Sequence, residues 1–105
     1  MSQPELSKII TGDGMSLRLR HWRLPQATRQ IVIVHGLGEH SGRYQKTAEH
    51  LVALGCDVLA YDQYGHGESA GARGHLASDD QLLEHLQDVW RTTEPAAPTR
   101  RILLG

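Results

Sequence analysis

The chain has 105 residues, room for one domain whose core leaves little stability to spare. Eleven basic residues against twelve acidic ones give no electrostatic case for nucleic acid or an anionic membrane surface. One cysteine, Cys56, excludes an internal disulfide, and no apolar run approaches the roughly 18 residues of a membrane span.

In chain order, the opening Met-Ser-Gln-Pro-Glu-Leu-Ser-Lys lacks the basic-then-apolar order of a secretory leader, so a soluble, cytoplasmic protein is expected. Leu6 to Thr11 is a short extended candidate, and Gly12-Asp13-Gly14 reads as a turn. From Ser16 to Leu24 residues alternate, with Leu17, Leu19 and His21 on one face and Arg18, Arg20 and Trp22 on the other. That period suits a half-buried strand, and the two segments read as a hairpin closed off by Pro25. Ile31-Val32-Ile33-Val34 is a continuous β-branched run, as in a parallel strand covered on both faces. A glycine-rich loop, His35 to Gly42, leads to a helix from about Arg43 to Leu54, with Gly55 as its stop. Cys56 to Tyr61 is a second apolar strand ending at Asp62. A long loop from Gln63 to Ala77 carries Gly65, Gly67, Gly71 and Gly74.

Ser78 reads as an N-cap with Asp79 and Asp80 in the first turn and Gln81 completing a capping box. Leu82, Leu83, Leu86, Val89 and Trp90 form one apolar helical stripe, ended by Pro95 and Pro98. Arg101-Ile102-Leu103-Leu104-Gly105 begins a further buried strand. Strands alternating with helices after a hairpin predict an α/β fold with a parallel sheet and right-handed crossovers.

Two stretches carry more than periodicity. Val34-His35-Gly36-Leu37-Gly38-Glu39-His40-Ser41-Gly42-Arg43-Tyr44 and Asp62-Gln63-Tyr64-Gly65-His66-Gly67-Glu68-Ser69, the latter followed by Gly71-Ala72-Arg73-Gly74-His75, occur together at a characteristic spacing. With them the chain resembles the α/β-hydrolase family, in the branch of monoacylglycerol lipases, lysophospholipases and serine aminopeptidases. The resemblance runs from about Gly12 onward and implies that residues 1–105 are the N-terminal part of a single α/β-hydrolase domain with an incomplete sheet. It implies that Arg101 to Leu104 runs into a Gly-x-Ser-x-Gly elbow with Gly105 as its first glycine. The family's serine, acid and histidine follow in that order, so the triad and the lid are expected beyond this segment.

The same resemblance makes the backbone N–H of Leu37 one donor of an oxyanion hole, with Gly36, Leu37 and Gly38 lining the substrate. Glycines suit such a loop because they let backbone approach a ligand. His35 reads as a structural histidine bonding loop backbone rather than the catalytic base. Asp62 reads as a tie for the glycine loop of Gly65 and Gly67, with a triad acid as the alternative. Gly67-Glu68-Ser69-Ala70-Gly71 matches Gly-x-Ser-x-Gly in letters, but no strand immediately precedes it and poor helix sequence follows, so Ser69 reads as a loop serine. Arg73-Gly74-His75 either borders the substrate entrance or stays a surface loop. Seven histidines show no metal-ligand spacing, and Cys56 opens an apolar strand as a small hydrophobe.

The expectation is therefore the N-terminal portion of a serine carboxylic-ester hydrolase for monoacylglycerol- or lysophospholipid-like esters, without cofactor or metal and inactive without the C-terminal half of the fold. The alternatives are a non-catalytic binding or assembly module, or peptidase or acyltransferase chemistry on the same scaffold.

Overall fold

A computed structural model describes residues 3–36, 39–71, 78–95 and 99–105. Five strands form one sheet: β1 (Glu5–Ile10), β2 (Ser16–Trp22), β3 (Arg29–Val34), β4 (Cys56–Tyr61) and β5 (Arg100–Leu104). Helix α1 (Gln45–Ala53) connects β3 to β4, and α2 (Asp79–Thr92) lies between β4 and β5. The spatial order is β1-β2-β4-β3-β5. The β1–β2 and β2–β4 pairs are antiparallel, whereas β3 runs parallel to both β4 and β5. The expected hairpin and parallel α/β arrangement are both present.

Strand order decides where the helices go. β4 lies on one side of β3 and β5 on the other, so two right-handed crossovers put their helices on opposite faces. Two cores result. On the α1 face Trp22, Ile31, Ile33, Cys56, Val58 and Ala60 pack around Ala48. On the α2 face Leu17, Leu19, Val32, Leu59 and Tyr61 pack against Val89, with Leu86 and Trp90 at the margin. Alternate residues of β3 and β4 feed alternate cores, as the pleat requires.

Four local expectations need correction. Trp22, expected on the open face of a half-buried strand, is buried and donates its indole N–H to Gln45 Oε1 at 3.0 Å. The first helix starts as a 3-10 turn at Ser41–Tyr44 before becoming α-helical. In α2 Leu83 is exposed, while His85 is buried in the helix's inward stripe. Ser78 caps α2 as expected, its hydroxyl accepting the Gln81 N–H at 3.1 Å. The Gln81 side chain, however, reaches away to donate to Asp13 Oδ2 at 3.0 Å. Gly55 does stop α1, with a φ of 92° that a side chain would resist.

At the N-terminal ends of the parallel strands, a polar row crosses the α2 face. Asp57 Oδ2 accepts from His21 Nε2 and from Gln30 Nε2, each at 2.8 Å. Gln30 Oε1 accepts from Arg101 Nε at 2.8 Å. The Arg101 guanidinium donates onward to the Trp90 carbonyl and Thr93 Oγ1 and lies 4.1 Å from the centre of the Trp90 ring.

Candidate functional site

The loops that leave β3 and β4 start side by side at the C-terminal ends of these parallel strands, the usual ligand position in open α/β sheets. The end of β5 borders the same place, because Leu104 lies in register with Ile33.

Asp62 is fully buried just after β4. Its Oδ1 accepts the Ser41 amide at 2.6 Å and the Ser41 hydroxyl at 2.7 Å, and its Oδ2 accepts the Glu68 amide at 2.9 Å. Burial pushes this carboxyl up. The Glu68 amide, the Ser41 hydroxyl and amide and the Arg20 charge outweigh that push and hold it below the usual carboxylate value. Gly67 sits against the carboxylate with a φ of 52°, and a Cβ there would stand 2.3 Å from Asp62 Oδ2. Gly65 closes the turn by donating to the Ala70 carbonyl at 2.7 Å. Ser69 donates its hydroxyl to the Asp62 carbonyl and accepts the Arg18 amide at 2.8 Å, so the hydroxyl ties the loop to β2.

His35 bridges the two loops. The Gln63 N–H donates to Nε2 at 2.9 Å, which leaves the ring proton on Nδ1, donating to the Gly36 carbonyl at 2.8 Å. Gln63 Nε2 returns to the His35 carbonyl at 2.6 Å. Burial holds the imidazole below its ordinary pKa, and the nearby His66 ring, 5.1 Å away between centres, adds to that. The Gly36 bond acts the other way. His35 is thus held neutral with both ring nitrogens engaged.

Gly36 is held in turn by Glu39. Glu39 Oε1 accepts the Gly36 N–H at 2.9 Å and the Tyr44 hydroxyl at 3.0 Å, while the Glu39 N–H donates to the Gly36 carbonyl at 3.2 Å. Those bonds keep the Glu39 carboxyl below its usual value. Both polar groups of Gly36 are therefore spent inside the loop, which bears on its expected contact with substrate.

Leu37 and Gly38, and the Arg73-Gly74-His75 triplet, lie outside the described residues. Among the described residues no group of three or more His, Cys, Asp or Glu side chains is placed to hold a metal ion. None of their helices is long and apolar enough to cross a membrane. Three residues that the sequence reading passed over organise the site: Ser41, Gln63 and Glu39. All three sit inside the quoted motifs, but the contacts of Ser41 and Gln63 cross between loops, and spacing along one loop does not reveal such partners.

Comparison with known proteins agrees with this geometry. Residues 25–105 match the family described as serine aminopeptidase, S33. Human monoglyceride lipase is 40% identical over 107 residues, covering 96% of this chain and 34% of that protein. The monoacylglycerol lipase of Mycolicibacterium smegmatis is 38% identical over 76 residues, covering 71% of this chain and 27% of that protein. An uncharacterized abhydrolase domain-containing protein of Dictyostelium discoideum is 42% identical over 96 residues, covering 89% of the chain but 10% of its own length. The chain thus spans about a third or less of the length of these relatives. Among solved structures, the thioesterase domain from the curacin biosynthetic pathway superposes with a TM-score of 0.73 at 27% identity, covering 95% of this chain and 36% of that one. The DcsB complex with its substrate analogue superposes at 0.80 with 21% identity and the same coverages, a likeness of fold. With two paired loops at the carboxyl ends of a parallel sheet and a family match over residues 25–105, the chain belongs to the serine aminopeptidase S33 family of α/β-hydrolases.

Proposed function

We propose that this chain supplies the oxyanion-hole loop and half the scaffold of a serine hydrolase that cleaves monoacylglycerol- or lysophospholipid-like esters. In this reading the Leu37 N–H is one donor to the tetrahedral oxyanion, with Gly36 to Gly38 beside the substrate. A serine following the β5 strand attacks the ester carbonyl, and its proton passes through a histidine base to the departing alcohol. Water then releases the acid. Those groups belong to the C-terminal half of the fold, so residues 1–105 alone do not turn over substrate. The chemistry needs no metal or cofactor, and the protein is proposed to be cytoplasmic.

The observation that carries this reading is the grip on the Gly36 carbonyl. His35 Nδ1 and the Glu39 N–H both donate to it. A loop braced at this carbonyl supports the proposed preorganised donor, which would be worth roughly 3–4 kcal/mol in the transition state. The names of the human and Mycolicibacterium smegmatis relatives favour an acylglycerol substrate. The family's description favours peptide cleavage as the second reading.

The test uses the whole protein that carries this segment. Release of fatty acid from monoacylglycerols and labelling by a fluorophosphonate that survives Ser69→Ala are the expected results. Hydrolysis of aminoacyl-anilides with inert monoacylglycerols would shift the assignment to the peptidase. Labelling lost on Ser69→Ala would overturn the reading of the site.

A further inference from the structure

We infer that His35 is an acid-sensitive clasp between the loops that follow β3 and β4: one proton on its Nε2 displaces the Gln63 amide and frees the start of each loop from the other. The inference goes beyond the hydrolase reading and does not depend on it.

The partners fix the protonation state of the closed clasp. A backbone N–H can only donate, so the Gln63 amide, 2.9 Å from Nε2, requires that nitrogen to be bare. The Gly36 carbonyl can only accept, so Nδ1, 2.8 Å away, carries the ring proton. A second proton has one place to go, Nε2, where it would meet the Gln63 N–H head on. The imidazolium and this hydrogen bond therefore exclude each other. His35 is 3% exposed, so the new N–H reaches water only if the Gln63 backbone withdraws.

Among the described residues, the titratable groups that act on the ring are His66 and Asp62 from the β4 side and Glu39 from the β3 loop. The carboxylates favour a charged ring, but both are engaged elsewhere. Asp62 accepts from Ser41 and the Glu68 amide, and Glu39 accepts from the Gly36 N–H and the Tyr44 hydroxyl. Burial opposes the charge most strongly, and His66 adds to that. The His66 ring is itself buried, its centre 5.1 Å away and its Nδ1 proton donated to the Tyr64 carbonyl at 2.9 Å. A charge on one ring disfavours a charge on the other, which makes the trigger a single proton.

The opening is bounded. Ser41 ties the far end of the β3 loop to Asp62 at 2.6 and 2.7 Å through bonds that involve no imidazole. Acid thus loosens the two loops where they leave the strands. Both stand at the carboxyl ends of the parallel pair, so the clasp makes the shape of the candidate site depend on acidity.

The experiment follows the whole isotope-labelled protein that carries this segment by NMR, from about pH 8 to about pH 5, beside His35→Gln. The glutamine carbonyl can accept the Gln63 amide but takes up no proton. At the upper pH, His35 Nε2 is expected to show the chemical shift of a bare ring nitrogen. The Gln63 amide protection factor is expected to fall about tenfold per pH unit below about pH 6.5, because the open form gains one proton. Dilute urea should leave that exchange unchanged, as for a local opening, while exchange of the β4 amides responds to it. In His35→Gln the acid dependence is expected to disappear. Protection at Gln63 that is flat with pH, falls only in step with β4, or keeps its acid dependence in His35→Gln would overturn the inference. A fall of about a hundredfold per pH unit would overturn it too, since two protons would then be needed. Should His35→Gln fail to fold, the parent decides: an Nε2 that gains its proton while the Gln63 amide stays protected counts against the clasp.

Discussion

The loops after β3 and β4 are built on opposite principles. The loop after β4 closes on itself around one buried anion. Asp62 gathers the Glu68 amide, its own carbonyl takes the Ser69 hydroxyl, and Gly67 is kept bare to make room. The loop after β3 is held largely by side chains from outside its turn. Gln63 clasps His35 from the start of the β4 loop, and Tyr44 supports Glu39 from the start of the helix. A loop organised about an internal anion is rigid and contributes stability. A loop braced from outside depends on its neighbours for its shape. The first serves as abutment for the second, since Ser41 at the end of the β3 loop is fixed by Asp62.

Substitutions can break this contrast in graded fashion. Gly67→Val should do most damage, because a side chain at a φ of 52° would occupy the Asp62 carboxylate. A loss of about 4 kcal/mol or failure to fold is expected, read by urea unfolding. Asp62→Asn comes next. Whichever way the amide turns, its NH2 faces a donor, either Ser41 or the Glu68 amide, and roughly 2–4 kcal/mol should be lost. Should Asp62→Asn prove as stable as the parent, the account of the β4 loop as anion-centred is wrong.

Acid should separate the two loops. The Asp62 carboxyl is lowered in the folded protein, so its contribution is complete above about pH 4 and fades as pH falls through the depressed value. The His35 imidazole is also lowered. Its contribution is complete above about pH 6.5 and declines below, as the unfolded chain takes up the proton first. Unfolding free energy measured against pH should show an upper step that vanishes in His35→Gln and a lower one that does not. Gln63→Ala sacrifices the 2.6 Å bond to the His35 carbonyl but keeps the backbone bond to Nε2, and should cost about 1 kcal/mol. Leu83→Lys, at a side chain 55% exposed, should change stability by less than about 0.5 kcal/mol.

Much of the fold was legible because it rests on period. The β-branched run of β3 and the apolar run of β4 state that both faces are covered. The alternation of β2 misled at Trp22, which shares a face with Arg18 and Arg20 yet is buried in the α1-face core, and His85 was left out of the α2 stripe. His85 lies three residues after Leu82 and four before Val89, so its phase pointed inward even though its chemistry suggested otherwise. In the site, motif spacing located both glycine loops. It did not reveal that Ser41 belongs to Asp62 or Gln63 to His35. Those pairs are 21 and 28 residues apart and meet only once the strands are aligned.

The polar row at the far end of the sheet has a consequence for assembly. Arg101 can reach Gln30 only when β5 docks beside β3 in the observed alignment, and Asp57 can reach both His21 and Gln30 only when β4 lies between their strands. Displacing β5 by one position would swing the guanidinium to the opposite face and break its bonds to Gln30, Thr93 and the Trp90 carbonyl. Hydrophobic neighbours tolerate such slippage far better than a chain of mated polar atoms. The row therefore acts as a proofreading key, admitting the last strand in one setting and discouraging the mis-threaded ones.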